Sequence, residues 1–299
     1  MANVFVLEAS GLVKRYGAHR ALDGVDLVVP EGSLYGFLGP NGAGKTTTLR
    51  VAMGLLRANG GYVRVLGADP WHDGRDIRSR IGFLPTDPGL PGRMRGVQAL
   101  DYFARLDGRS PTLRAAACDA LRLSDADLNR PILTYSRGMR QKLVIVQAVQ
   151  HDPRLLILDE PTEGLDPLVQ DGFFTFLRDR RDAGATVFFS SHVLSEVEAL
   201  CDRVAIIRDG RIVDEGRVDD LRGRRPKRVT LQLTGMVGPI DIPGAINVSQ
   251  QDLAVVFEYL GDAGALLSTL AALPIADVRI EEPGLDEIFL SYYRPKGEG

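Results

Sequence analysis

The chain has 299 residues, a formal net charge of −3, 44% hydrophobic and 25% charged residues, and two cysteines. That is the composition of an ordinary globular protein, with room for one large domain and a small one, and it provides no overall basic field to recruit nucleic acid. No stretch approaches the eighteen apolar residues of a membrane span, the first eight residues lack the basic start of a signal peptide, and Cys118 and Cys201 read as reduced, buried thiols of a cytosolic protein.

Residues 1–38 read as short alternating strands with turns at Ala9–Gly11, Asp23-Gly24 and Pro30–Gly32, an antiparallel layer. The apolar run Leu34–Leu38 then leads into Gly39-Pro-Asn41-Gly42-Ala43-Gly44-Lys45-Thr46, followed by Thr47 and a helical pattern to about Leu55. This run fits the phosphate-cradling pattern G-x-x-x-x-G-K-[ST], in the strand–loop–helix context that the chemistry needs. The glycines allow the backbone N–H groups to converge on one spot, and the helix N-terminus adds its dipole. Lys45 supplies a compact charge for the β- and γ-phosphates, and Thr46 a hydroxyl for Mg²⁺.

Gly60–Leu66 and Ile81–Leu84 read as further strands, and the pattern is helical from about Asp87 to Gln150. Within that region Ser136, in Tyr135-Ser-Arg-Gly138-Met-Arg-Gln141, is a good N-cap. The motif reads either as a capped helix or as an anion site made from the exposed N–H groups behind the cap. The buried strand Leu155–Leu158 runs into Asp159 and Glu160. A carboxylate at that sheet edge, where α/β sheets bind ligands, can hold Mg²⁺, and its neighbour can orient and deprotonate water. Asp166 before Pro167 is the N-cap of a helix to about Arg181. His192 directly follows the strand Thr186–Ser190, a place where a lone histidine is usually structural or solvated. A helix at Leu194–Leu200 and a hairpin over Arg208–Gly210 complete the region. Uniformly apolar strands alternating with helices imply a largely parallel sheet covered on both faces. Residues 222–228 read as a charged linker. Beyond them, strands at Val229–Leu233, Ala254–Glu258 and Ala276–Glu281 and helices at Ala263–Leu273 and Leu285–Tyr293 form a small α+β unit.

In order and spacing, these motifs resemble the nucleotide-binding domains of ABC transporters over about residues 4–221. The resemblance implies an α/β fold: a P-loop NTPase cassette in residues 1–221, with a mostly parallel core sheet, an antiparallel β layer and an inserted helical subdomain at about 87–150. A small α+β accessory domain occupies 229–299. It also implies ATP and Mg²⁺ as ligands. Ser136 and Gly138 then belong to the signature loop, which caps the γ-phosphate bound to the opposite subunit. Asp166 lies in the D-loop, and His192 is the switch histidine that touches the γ-phosphate and holds the attacking water. Tyr16 is the aromatic residue that stacks on adenine, its other reading being a tyrosine packed in the antiparallel layer. The Q-loop position falls on Thr86, with Asp87 as a rival metal or water contact. Arg137 and Met139 replace the signature glycine and glutamine, and Arg137 either adds a cation near the nucleotide or lies in solvent.

The tail Glu282-Pro-Gly-Leu-Asp-Glu-Ile-Phe-Leu-Ser-Tyr-Tyr293 resembles that of ABC-2 or drug-resistance-type exporter subunits. The implied partners are a second ATPase subunit, forming a homodimer around two ATP, and an integral membrane permease. The implied location is the cytoplasmic face of the cell membrane, with no nucleic-acid partner. A soluble ABC ATPase of ribosome or DNA is the alternative; it is disfavoured because the chain has one cassette and no sustained heptads between Lys45 and Ser136. A GTPase or kinase would need other motifs, such as Asn-Lys-x-Asp, that this chain lacks.

Overall fold

The computed structural model describes residues 5–86, 89–223, 226–235, 238 and 242–281, which fall in two compact units, Met1–Gly216 and Arg217–Gly299. The first unit opens with two long strands, β1 (Phe5–Tyr16) and β2 (His19–Pro30), paired antiparallel across a two-residue turn. Two of the expected turns are instead β-bulges inside these strands. The register slips between Ala9 and Leu12 on β1, and Gly24 is the extra residue on β2. Gly11 and Gly24 adopt φ of 58° and 81°, and Asp26 holds the first bulge by accepting from Gly11 N at 2.8 Å. Glycine and a short acid can mark a bulge as readily as a turn, so the two are hard to tell apart in sequence.

The core strand β3 (Leu34–Leu38) is buried throughout and feeds α1 (Lys45–Ala52). Next come β4 (Gly60–Val65), which pairs with β1, then α2 (Gly74–Arg78) and β5 (Ile81–Leu84). A helical region follows: α3 (Gly96–Asp107), α4 (Arg114–Ala120), α5 (Asp125–Leu128) and α6 (Arg137–Val149). Its hub is Gln150, fully buried, whose amide donates to Leu100 O at 3.1 Å and accepts from Arg114 Nε at 2.9 Å. The chain returns through β6 (Leu155–Asp159), α7 (Pro167–Asp182), β7 (Thr186–Ser191), α8 (Leu194–Leu200), β8 (Arg203–Arg208) and β9 (Arg211–Arg217).

The core sheet has the order β5-β6-β7-β3-β8-β9, and its pairs from β5 to β8 are parallel. This order places the C-terminal ends of β3, β6 and β7 side by side, with Leu38 opposite Ser191 and Asp159 opposite Ser190. Fully buried parallel strands must be apolar on both faces, which is why the runs Leu-Tyr-Gly-Phe-Leu, Leu-Leu-Ile-Leu and Thr-Val-Phe-Phe lack alternation. Gly36 is required by packing: a Cβ there would lie 2.7 Å from Val197 Cγ1 of α8.

The second unit contains α9 (Val218–Gly223), β10 (Lys227–Leu233), β11 (Ala245–Gln251), β12 (Ala254–Tyr259), α10 (Ala263–Leu270) and β13 (Ile275–Glu281). Its antiparallel sheet, β11-β12-β10-β13, buries Val229, Leu231, Val255 and Phe257 with Leu266 and Leu270 of α10. Of the expected linker, residues 222 and 223 end α9 and residues 227 and 228 begin β10, and Arg224 and Arg225 lie outside the described residues. The edge strand β11 is largely polar and exposed, so its sequence carried little strand signal. The expected helix Leu285–Tyr293 and the residue Asp87 lie outside the described residues.

Phe188 sits in the centre of the core, with ring centroids 5.9 Å from Tyr35 and 5.4 Å from Phe37. Phe188→Ala is expected to destabilise the first unit by about 3–5 kcal/mol, because the cavity it leaves cannot collapse between two neighbouring strands. Thermal unfolding of variant and parent measures the loss.

Candidate functional site

The loop Gly39–Gly44 joins the end of β3 to α1, and several residues are chosen by close approach. A Cβ on Gly39 would lie 2.5 Å from Ile207 O. Gly44 adopts φ of 112°, and a Cβ there would lie 2.7 Å from Ala21 O. Gly42 has φ of 83° but faces open space, so its requirement is conformational alone. Ala43 is buried and its N–H donates to Pro40 O at 3.2 Å. The loop borders a cavity of about 300 Å³ that is also lined by Tyr16, His19, Ala21, Pro40, Asn41, Lys45, Thr46, Thr47, Thr86 and Glu160.

Lys45 is only 5% exposed. Its ammonium donates to Gly39 O at 2.5 Å and Pro40 O at 3.2 Å, and lies 3.1 Å from Glu160 Oε1. The other oxygen, Glu160 Oε2, is 2.7 Å from His192 Nδ1 and accepts from His192 N at 3.4 Å. One carboxylate therefore bridges the loop lysine and the histidine after β7. Glu160 holds an unusual backbone, with φ of 50°, fixed by its N–H donating to Ser190 O and Oγ, each at 3.2 Å. A non-glycine residue in this region carries local strain.

Asp159 is buried, and both oxygens are occupied. Ser190 Oγ donates to Oδ1 at 2.6 Å, and Thr86 Oγ1 donates to Oδ2 at 2.5 Å. The short threonine thus reaches the carboxylate at the end of β6, because β5 and β6 are neighbours in register. Ser190 was not singled out in the sequence. Its available signal was the pair Ser190-Ser191, polar residues ending an otherwise apolar strand. His19 was also missed; it pairs with Tyr16 across the β1–β2 turn, and both line the cavity. Tyr16 is half exposed and lies under Lys14, whose Nζ is 5.4 Å from the ring centroid.

Ser136, Gly138 and Asp166 do not line this cavity. Ser136 is exposed and caps α6 by accepting from Met139 N at 3.2 Å, and Asp166 caps α7 by accepting from Val169 N at 3.0 Å. Arg137 does not line the cavity of its own chain; its side chain is largely exposed and forms an ion pair with Glu163. Gly138 is held against the chain after Glu160: a Cβ there would lie 2.7 Å from Gly164 O. Among the described residues no group of three or more His, Cys, Asp or Glu side chains is arranged to hold a metal by itself. The hard oxygen donors Asp159, Thr86 and Thr46 fit Mg²⁺, an ion that completes its shell with water and phosphate oxygens.

A glycine-rich loop leading from a central parallel strand into a helix, with a buried aspartate and a glutamate at the end of the next strand but one, defines a P-loop nucleotide hydrolase. The sequence model of the ABC transporter family matches residues 22–163. The daunorubicin resistance ATP-binding protein DrrA3 of Streptomyces coeruleorubidus is 35% identical over 298 residues, covering 95% of this chain and 94% of that protein. The bacitracin transport ATP-binding protein BcrA of Bacillus licheniformis is 31% identical over 297 residues, covering 95% and 96%. A solved ATP-binding subunit of an ABC transporter superposes with a TM-score of 0.68 at 30% identity, covering 73% of this chain and 92% of that one. The chain belongs to the ABC transporter family, as an ATP-binding subunit of the kind that hydrolyses ATP.

Gly44→Ala combines a disfavoured φ with a clash against Ala21 O. Strain of about 1–3 kcal/mol makes ATP binding weaker by roughly tenfold or more. Isothermal titration with ATP, alongside an unchanged circular dichroism spectrum, measures it.

Proposed function

We propose that two copies of this chain close on two ATP molecules and reopen after hydrolysis, driving a separate membrane permease that exports its substrate. The observation that carries this reading is the Lys45–Glu160–His192 network at the edge of the P-loop cavity. Lys45 receives the β- and γ-phosphates, Gly39, Asn41, Gly42, Ala43 and Gly44 offer backbone N–H groups, and Thr46 and Thr47 flank them. Tyr16 stacks on the adenine. Glu160 takes the proton of the attacking water, and His192, already bonded to the same carboxylate, holds that water in line. Mg²⁺, when bound, neutralises charge on the phosphate oxygens, and Asp159, Thr86 and Thr46 are the residues that hold it.

Ser136, Gly138 and Asp166 lie outside the cavity of their own chain, which supports a site completed by a second copy. That second copy presents the capped N-terminus of α6, a helix of thirteen residues, to the γ-phosphate. Among the described residues no helix is long and apolar enough to cross a membrane, and in this reading the transport path belongs to a separate permease. Attachment is then peripheral, at the cytoplasmic face. Export is favoured because relatives are named for daunorubicin resistance, an outcome that follows from removing a drug.

Glu160→Gln is expected to retain ATP binding, lower hydrolysis by at least about tenfold, and give an ATP-stabilised dimer on gel filtration. Undiminished turnover would remove Glu160 as the base. Lys45→Ala is expected to abolish ATP binding in an equilibrium titration. Normal affinity in that variant would sink the loop assignment.

A further inference from the structure

We infer that Arg137 is a positioning residue for the hydrolytic reaction, acting through Glu163 on the backbone that carries Glu160. The start of α6 and the turn after β6 touch at four points. The Arg137 guanidinium pairs with the Glu163 carboxylate. The alkyl stem of Arg137 lies over Gly164, where a Cβ would meet its Cγ at 3.8 Å, and Gly138 leaves just enough room for Gly164 O. Further along α6, Gln141 Nε2 donates to Pro161 O at 2.9 Å. Residues 137–141 therefore grip residues 161–164 along their length.

The gripped segment is a tight turn closed on Glu160 itself. Glu163 N donates to Glu160 O at 3.3 Å, and Leu165 N donates to Thr162 O at 3.0 Å. Pro161 and Thr162 are buried, so the turn has little freedom to deform on its own. A displacement of Arg137 is thus passed to Glu163 through the ion pair, and from Glu163 to Glu160 through one backbone hydrogen bond. Glu160 responds as a unit, because its N–H is pinned to Ser190 and its backbone sits in a narrow, strained well. Both side chains of the ion pair are substantially exposed, at 76% and 43%. Exposed pairs of this kind add little to folding stability. The pair's effect falls on the placement of the base, where small misplacements are expensive in rate.

The inference rests on the reading of Glu160 as the base. It gives the signature loop, whose N-cap Ser136 precedes Arg137, a direct mechanical line to the carboxylate of its own chain. An anion docking at the start of α6 and the water-activating group after β6 are coupled through these contacts, of which the salt bridge is the one made by two exposed side chains.

The test is a double-mutant cycle in the full chain with Arg137→Ala, Glu163→Ala and the pair together, read as kcat and KM for ATP. Each single variant is expected to lower kcat on the order of tenfold while KM stays within about twofold, since neither side chain lines the cavity of its own chain and α6 offers the other copy's γ-phosphate its capped backbone rather than the Arg137 guanidinium. The double variant is expected to be no slower than either single one, and the exchanged pair R137E/E163R to recover most of kcat. The midpoint of thermal unfolding should be nearly constant across the set. Wild-type kcat in Arg137→Ala, additive losses in the double variant, or no recovery on exchange would each overturn the coupling. Glu160→Gln run in parallel separates the two ideas: a loss of turnover there with no effect at Arg137 overturns the coupling alone, and undiminished turnover at Glu160→Gln overturns the base on which it rests.

Discussion

A buried ammonium is the constraint around which this site is built. Lys45 has almost no access to water, and removing such a charge from solvent costs several kcal/mol unless it is well partnered. Its partners come from two places: the carbonyls of Gly39 and Pro40 in its own loop, and the carboxylate of Glu160 at the far side of a strand crossing. That arrangement demands that β3 and β6 end at the same height with only β7 between them. The parallel register supplies it. The long antiparallel hairpin of β1 and β2 closes the cavity from the other side with Tyr16 and His19.

Second-layer polar groups then set the orientation of what the sheet delivers. Ser190 alone serves two residues, donating its hydroxyl to Asp159 and receiving the N–H of Glu160. Thr86 saturates the second oxygen of Asp159. With every oxygen of Asp159 engaged, the carboxylate has one orientation before any ligand arrives, which is the preorganisation that phosphoryl transfer relies on.

The sequence disclosed much of this, because the signals were strongest where the physics is most restrictive. Apolar strands buried on both faces cannot alternate, and a phosphate loop cannot do without its glycines, so β3, β6, β7 and the Gly39–Thr46 loop stood out. The positions of Asp159 and Glu160 followed from the strand they end. Legibility failed where two structures share one chemistry. Gly11 and Gly24 signal a turn and a bulge equally well, and here they are bulges within continuous strands. β11 was invisible because an exposed edge strand needs few apolar residues. The role of Arg137 was also hidden, since its partner Glu163 is twenty-six residues away and nothing in the local pattern joins them.

The left-handed backbone at Glu160 places the chemistry and the fold in competition. Glycine is the residue this φ prefers, and for a side chain with a Cβ the conformation is disfavoured by on the order of 1 kcal/mol or more. A cassette carrying glycine at this position would relax the turn but leave the buried Lys45 ammonium without its carboxylate, which costs more than the released strain returns. The ion pair with Lys45 therefore opposes the backbone preference at Glu160, and one carboxylate both holds the strained turn and secures the phosphate loop's lysine.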